Sequence, residues 1–145
     1  MKRKYFLALF LVLVLFLAGC DGVTTPISDE TQIRNVVQNY CSAISDQDWD
    51  RAKSYCVYGS QVYFITCVLE EQVNFYINYG YSITITCSVT ISNVEINGDY
   101  AEVSLSRGTL IITMDDYSQR EDIKEGTIYL QKIDNSWKIC DPPGY

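Results

Sequence analysis

The apolar residues of this chain change their spacing once, near Tyr81, and that change constrains the fold more than any other feature. Before it, Ile33, Val36, Val37, Tyr40, Cys41 and Ile44 recur at three- and four-residue steps, which puts them on one helical face. After it, Ile83, Ile85, Cys87, Val89 and Ile91 alternate with Thr84, Thr86, Ser88 and Thr90, the period of a strand with one buried face. Helices first, then consecutive strands joined by tight turns, predict an α+β domain whose antiparallel sheet curls around the long helix. The sequence contains no internal repeat.

The first helix is expected over Asp29–Ser45, with Ser28 or Asp29 as its cap and Asp29 and Gln32 at capping-box spacing. Asp48 can cap a short second helix in which Trp49, Ala52, Lys53 and Cys56 share a side. Residues 61–65 read as a brief strand or a loop, and Thr66 as the cap of a third helix with Leu69, Val73 and Tyr76 inward. Val94 and Ile96 fall out of phase with Ile91, which predicts a bulge near Ser92-Asn93 ahead of the tight turn at Asn97-Gly98. The return strand runs through Ala101, Val103 and Leu105, bends at Gly108 and continues to Met114. Residues 115–122 read as a polar loop, residues 123–133 as a third strand and residues 137–140 as a fourth. Trp49 and Trp137 each sit beside a turn, where an indole closes one end of a core.

Ahead of this pattern lies Lys2-Arg3-Lys4, an apolar run over residues 5–18, then Gly19-Cys20, in the order of a secretory leader. As a helix the run rises about 20 Å, short of a hydrocarbon core of about 30 Å, so a stable span is the weaker reading. Leu17-Ala18-Gly19-Cys20 resembles the lipobox of bacterial lipoproteins. That resemblance implies cleavage before Cys20, diacylglycerol on its sulfur and a further acyl chain such as palmitate on its amino group. The competing explanation is an ordinary cleaved leader followed by a chance cysteine. The division expected is residues 1–19 as signal peptide, 20–27 as lipidated cysteine and tether, and 28–145 as one domain. Its location would be the extracytoplasmic face of the cell membrane, held through lipid on Cys20.

Removing Lys2, Arg3 and Lys4 from the 11 basic residues leaves 8 against 18 acidic ones, a formal charge of −10. An acidic surface argues against a nucleic-acid partner, which needs clustered Lys and Arg. Beyond Cys20 there are Cys41, Cys56, Cys67, Cys87 and Cys140, an odd number that leaves at least one thiol unpaired in a monomer. Cys56 with Cys67 is the preferred disulfide because their loop is short; five buried thiols in a reducing habitat are the alternative.

The layout is similar to the nuclear transport factor 2-like, or cystatin-like cone, superfamily. The residues that carry the likeness are Val36, Tyr40, Ile44, Asp48, Trp49, Asp50 and Ala52 in the helical pair, Val94, Ile96, Asn97-Gly98-Asp99, Ala101 and Val103 at the first hairpin, and Ile128, Leu130, Lys132 and Trp137-Lys138-Ile139 at the last. The resemblance implies a conical sheet with the first helix in its concavity, and a pocket between them used by different members for catalysis, ligand binding or subunit contact.

Catalytic members place an Asp or His base inside the cone. This chain has no histidine, and Glu95 and Glu102 alternate outward from the apolar face, leaving Glu125 or a loop acid as the only candidate base. No catalytic set, metal site or cofactor is expected. Asp115, Asp116 and Asp122 lack the glycine and spacing of an EF-hand loop. The pocket candidates are Tyr40, Tyr76 and Tyr129, each an apolar ring with a hydroxyl, and Arg107, which follows Leu105 in the inward alternation and offers a fork for an anion. For each tyrosine the bland alternative is core packing with a satisfied hydroxyl, and for Arg107 a bend at Gly108 that turns it to solvent. The leading expectation is a non-catalytic, lipid-anchored domain that binds a small ligand or an envelope protein. The alternatives are a cone-superfamily isomerase or dehydratase acting on a small hydrophobic molecule, and a structural module forming homodimers through the outer face bearing Thr84, Thr86 and Thr90.

Overall fold

The computed structural model of the chain describes residues 27–144; the leader, Cys20 and most of the tether lie outside the described residues. Three helices, α1 (Asp29–Ser45), α2 (Trp49–Ser54) and α3 (Gln61–Asn78), precede five strands: β1 (Ile83–Asn97), β2 (Tyr100–Met114), β3 (Tyr117–Ile123), β4 (Gly126–Ile133) and β5 (Ser136–Cys140). The strands form one antiparallel sheet in the order β1-β2-β4-β5, with β3 paired to β2 alone. The fold is the α+β cone expected from the sequence, its helices packed in the concavity of the curved sheet.

Strand β2 is the spine. Its first half, Tyr100 to Leu105, pairs with β4, and its second half, Gly108 to Met114, pairs with β3. Fifteen residues of strand reach roughly 50 Å when straight, whereas the seventeen residues of α1 reach roughly 26 Å. Both halves of the sheet touch α1 only if the sheet bends. The bend falls at the register shifts around Ile91 and Ser92, the predicted bulge, where first Ser106 of β2 and then Ser92 of β1 is left without a partner.

Two buried clusters follow. The first joins Ile33 and Val37 of α1 to Val103, Leu130, Trp137 and Ile139 of the sheet. The second joins Ala43 and Ile44 to Trp49, Ala52, Val73 and Ile85. Tyr40 packs against both.

Helix α1 begins at the predicted residue. Its cap is Ser28, whose hydroxyl accepts from the Thr31 amide at 3.2 Å. Asp29 serves another purpose, with its carboxylate accepting from Lys132 Nζ at 2.9 Å and from the Trp137 indole at 3.1 Å. That contact fixes the start of α1 to the β4–β5 end of the sheet. Asp48 caps α2 as expected.

Three expectations are corrected. Residues 61–65 are helical: Ser60, not Thr66, caps α3, accepting from the Tyr63 amide at 3.2 Å, and Asp141 adds a second acceptor for the Gln61 amide at 2.8 Å. Residues 117–123 form a strand rather than a loop, because β2 extends beyond β4 and offers its unpaired backbone to them. The third predicted strand, residues 123–133, is divided, with Ile123 ending β3 and Gly126 beginning β4, while β2 runs on through Gly108 to Met114 as expected.

Candidate ligand-binding cleft

Helix α3 lies over the open side of the cone. Val62 and Tyr63 pack on the first cluster, while Leu69 and Val73 reach the second. Only Thr66 and Val73 of its eighteen residues are fully buried, and Phe64, Ile65, Phe75 and Ile77 are exposed. A helix apolar around its circumference is normally surrounded by protein. Here one side faces solvent and the other leaves a gap.

The gap is a cleft of about 580 Å³ between the C-terminal half of α3 and the far ends of β1, β2 and β3. Leu69, Val73 and Tyr76 form the helical wall. Ile83, Ile112 and Met114 form the floor, and Tyr117 of β3 stands opposite. Glu71, Gln72 and Gln119 are the polar lining residues, and Glu71 is the single ionisable carboxylate among them. At the mouth an aromatic group is held edge to face, with Phe75 and Tyr76 rings 5.4 Å apart and Tyr76 and Tyr81 rings 5.9 Å apart. The size lies within the range of small-molecule sites, and the apolar walls with few polar groups match their chemistry.

The floor is held rigidly. Gln47, at the end of α1, donates to the Ile83 carbonyl at 2.9 Å. Asp115 closes the far end of the β1–β2 hairpin, its amide donating to the Ser82 carbonyl and its carboxylate accepting from the Ser82 amide, both at 3.0 Å.

Of the four pocket candidates, Tyr76 lines this cleft. Tyr40 is half-buried inside the cone, its hydroxyl 2.9 Å from the Thr66 hydroxyl, and burial pushes its phenol up to about 12. It joins α1 to α3 and holds the two clusters together. Tyr129 pairs with Glu102 in the β2–β4 register, on the face opposite to Ala101 and Val103. It therefore borders the shallow depression with Glu95 and Tyr100 on the outside of the sheet. Arg107 is exposed, because the register shift in the β1–β2 pair brings Gly108, Leu110 and Ile112 onto the inner side in its place. Glu95, Glu102 and Glu125 are exposed as well. Among the described residues no three Asp, Glu or Cys side chains gather as a metal-binding group, and no helix is long and apolar enough to cross a membrane.

Sequence reasoning missed Ile83, Ile112, Met114 and Tyr117. Their only signal was that the β1 and β2 apolar alternation runs to the ends of both strands, past the reach of α1.

The five thiols, Cys56 and Cys67 among them, are all free in the structure. Cys56 Sγ donates to the Ala52 carbonyl at 3.7 Å, and burial pushes its thiol up to about 11. Cys41 and Cys87 meet across the α1–β1 contact, where the Ser45 hydroxyl bonds to the backbone of both.

No protein-family model matches the chain, and no curated protein matches it. Solved structures do. The chain is similar to a protein named "putative aromatic ring hydroxylase" from Novosphingobium aromaticivorans, at 14% identity and a TM-score of 0.56, over 80% of this chain and 87% of the other. It is also similar to a conserved protein from Planctomyces limnophilus, at 15% identity and a TM-score of 0.54, over 77% and 91%. A weaker match, at 14% identity and a TM-score of 0.41 over 79% and 92%, is a protein of unknown function with a cystatin-like fold from Nostoc punctiforme. At these identities what is shared is the fold, an α+β cone.

Proposed function

We propose that this chain is a lipid-anchored, extracytoplasmic binding domain that takes one small, elongated apolar molecule into the cleft beneath α3 and leaves it chemically unchanged. The observation that carries the reading is the cleft itself, about 580 Å³ walled by aliphatic and aromatic side chains. Burying a ligand there removes apolar surface from water on both partners, at roughly 25 cal/mol per Å². The glutamines and Tyr76 at the mouth supply the few polar contacts that orient a bound molecule.

The isomerase or dehydratase alternative needs a carboxylate buried against the substrate. Glu71, the acid of this cleft, is exposed. One structural neighbour carries a hydroxylase name, and at 14% identity the likeness extends to fold alone. The anchor rests on the leader and Cys20, read from the sequence.

Full-length protein purified from the membranes of its host tests both parts. Native mass spectrometry should show a retained apolar molecule. A neutral naphthylamine dye should brighten on binding, and Met114→Glu, which puts a charge on the cleft floor, should abolish the signal while Tyr58→Ala should not alter it. Equal dye binding by the Met114 variant would remove the cleft from consideration. Incorporation of an alkynyl palmitate that is lost in Cys20→Ser checks the anchor.

A further inference from the structure

Helix α1 is hydrogen-bonded to β1 through one serine. Ser45 Oγ accepts from the Cys87 amide at 2.8 Å and lies 3.3 Å from the Cys87 carbonyl, to which it can also donate. The same hydroxyl reaches the Cys41 carbonyl at 3.1 Å, one turn back along α1. One side chain thus ties the backbones of Cys41 and Cys87 to a common point. Cys41 and Cys87 are thereby neighbours across the contact between α1 and β1, held at one hydroxyl. Cys41 is buried, and Cys87, on the inner face of β1, is partly accessible.

From this arrangement we infer that Cys41 and Cys87 are the chain's disulfide-forming pair, closing a covalent link between α1 and β1. The closed segment contains the whole of α2 and α3, so the link fixes the frame on which the helical wall of the cleft is carried. A loop of that length is one whose closure removes many conformations from the unfolded chain.

The chemistry is thiol–disulfide exchange with an external disulfide, either a protein oxidant or a small oxidised thiol. The partly accessible Cys87, as thiolate, attacks one sulfur of the oxidant, releases the other as a thiolate and gives a mixed disulfide. Cys41 loses its proton and attacks Cys87 Sγ, which forms the internal bond and releases the second thiol. Two thiols are oxidised, one disulfide is reduced to two thiols, and two protons balance the transfer. Access favours this order, since Cys87 is the partly exposed thiol and Cys41 the buried one, and the neighbouring Cys41 also holds the Cys87 thiol below its ordinary value. Cys87 in turn, together with burial, pushes Cys41 up. Cys56, Cys67 and Cys140 remain as thiols in this scheme.

Occurrence in the cell rests on the extracytoplasmic placement proposed above, because cytosolic thiol buffers keep such pairs reduced. Two measurements separate the claims. Purified full-length protein is equilibrated with oxidised glutathione, alkylated and digested without reduction. The expected product is a linked pair of peptides bearing Cys41 and Cys87, a loss of two hydrogen masses, and a thermal midpoint several degrees higher than after reduction. Ser replacement at either cysteine should remove that peptide pair, and Cys67→Ser should leave it. Dominant Cys56–Cys67 linkage, or persistent alkylation of Cys41 and Cys87, overturns the pairing. Acid-trapping of the protein in its host then reads the compartment: linked peptides support export, while free thiols in cells whose purified protein forms the link overturn export and leave the pairing standing.

Discussion

Two side chains carry opposite pH dependences, and each follows from what touches it. Lys132 and the Trp137 indole hold the Asp29 carboxyl below its ordinary 3.8. The folded state therefore takes up that proton less readily than the unfolded one. The stabilisation is complete above the ordinary value and is lost as pH falls through the lowered folded value. Asp29→Asn should lower stability at neutral pH and flatten the acid limb of a denaturation series below about pH 4. An unchanged acid limb would show that the contact makes no difference to folding. Tyr40 works the other way. Burial raises its phenol to about 12, so the folded state keeps a proton that the unfolded state gives up near 10. Its contribution is present below pH 10 and disappears between about 10 and 12. Tyr40→Phe should remove that slope and cost about 0.5–1.5 kcal/mol at neutral pH for the lost hydrogen bond to Thr66. Ultraviolet titration of phenolate formation measures the delayed tyrosine directly.

Among the elements, α3 is the one whose stability governs the cleft. Ser60 caps it while almost fully buried, and the Thr66 hydroxyl turns inward to Tyr40 and to the Val62 carbonyl at 2.8 Å. Ser60→Ala should cost about 1 kcal/mol and fray the first turn, raising amide exchange in residues 61–65 more than in α1. Equal exchange across both helices would count against this local effect. Helix α1 was readable to the residue because its apolar stripe and cap agree. The start of α3 was not, since Phe64 and Ile65 are apolar on the solvent side and erase the helical period just where Thr66 offers a plausible cap. Strand β3 was invisible for a related reason. All seven of its residues are exposed, so no alternation marks it, and it exists because β2 has backbone groups to pair. At the site, Tyr76 was legible from the inward face of α3. Tyr129 and Arg107 were misplaced because strand phase does not survive a register shift or reveal which face is concave. The cleft floor depends on where α1 ends relative to the strand tips, a tertiary distance that local spacing does not encode.

Across the whole molecule, the two buried clusters share α1 but have different neighbours, and stability and binding should divide between them. The first is sealed: Val103 and Leu130 are completely buried beneath Ile33 and Val37. The second opens onto the cleft, and Ile112 both packs on it and lines the floor. Leu130→Ala leaves a void with no way to fill, so it should cost about 2–5 kcal/mol of unfolding free energy while dye binding in the cleft stays unchanged. Ile112→Ala should cost less, because its side chain is only partly covered and solvent or ligand can occupy the space. Its larger effect falls on affinity. Each methylene that no longer meets a bound apolar molecule forfeits about 0.8 kcal/mol, and two of them correspond to roughly a tenfold weaker complex. Urea denaturation and dye titration of the two variants give four numbers. A cross pattern, with Leu130→Ala weakening stability alone and Ile112→Ala weakening binding chiefly, places the ligand between α3 and the strand tips. Parallel losses in both variants would mean that dye uptake reports a loosened fold, and the binding assignment would have to be given up.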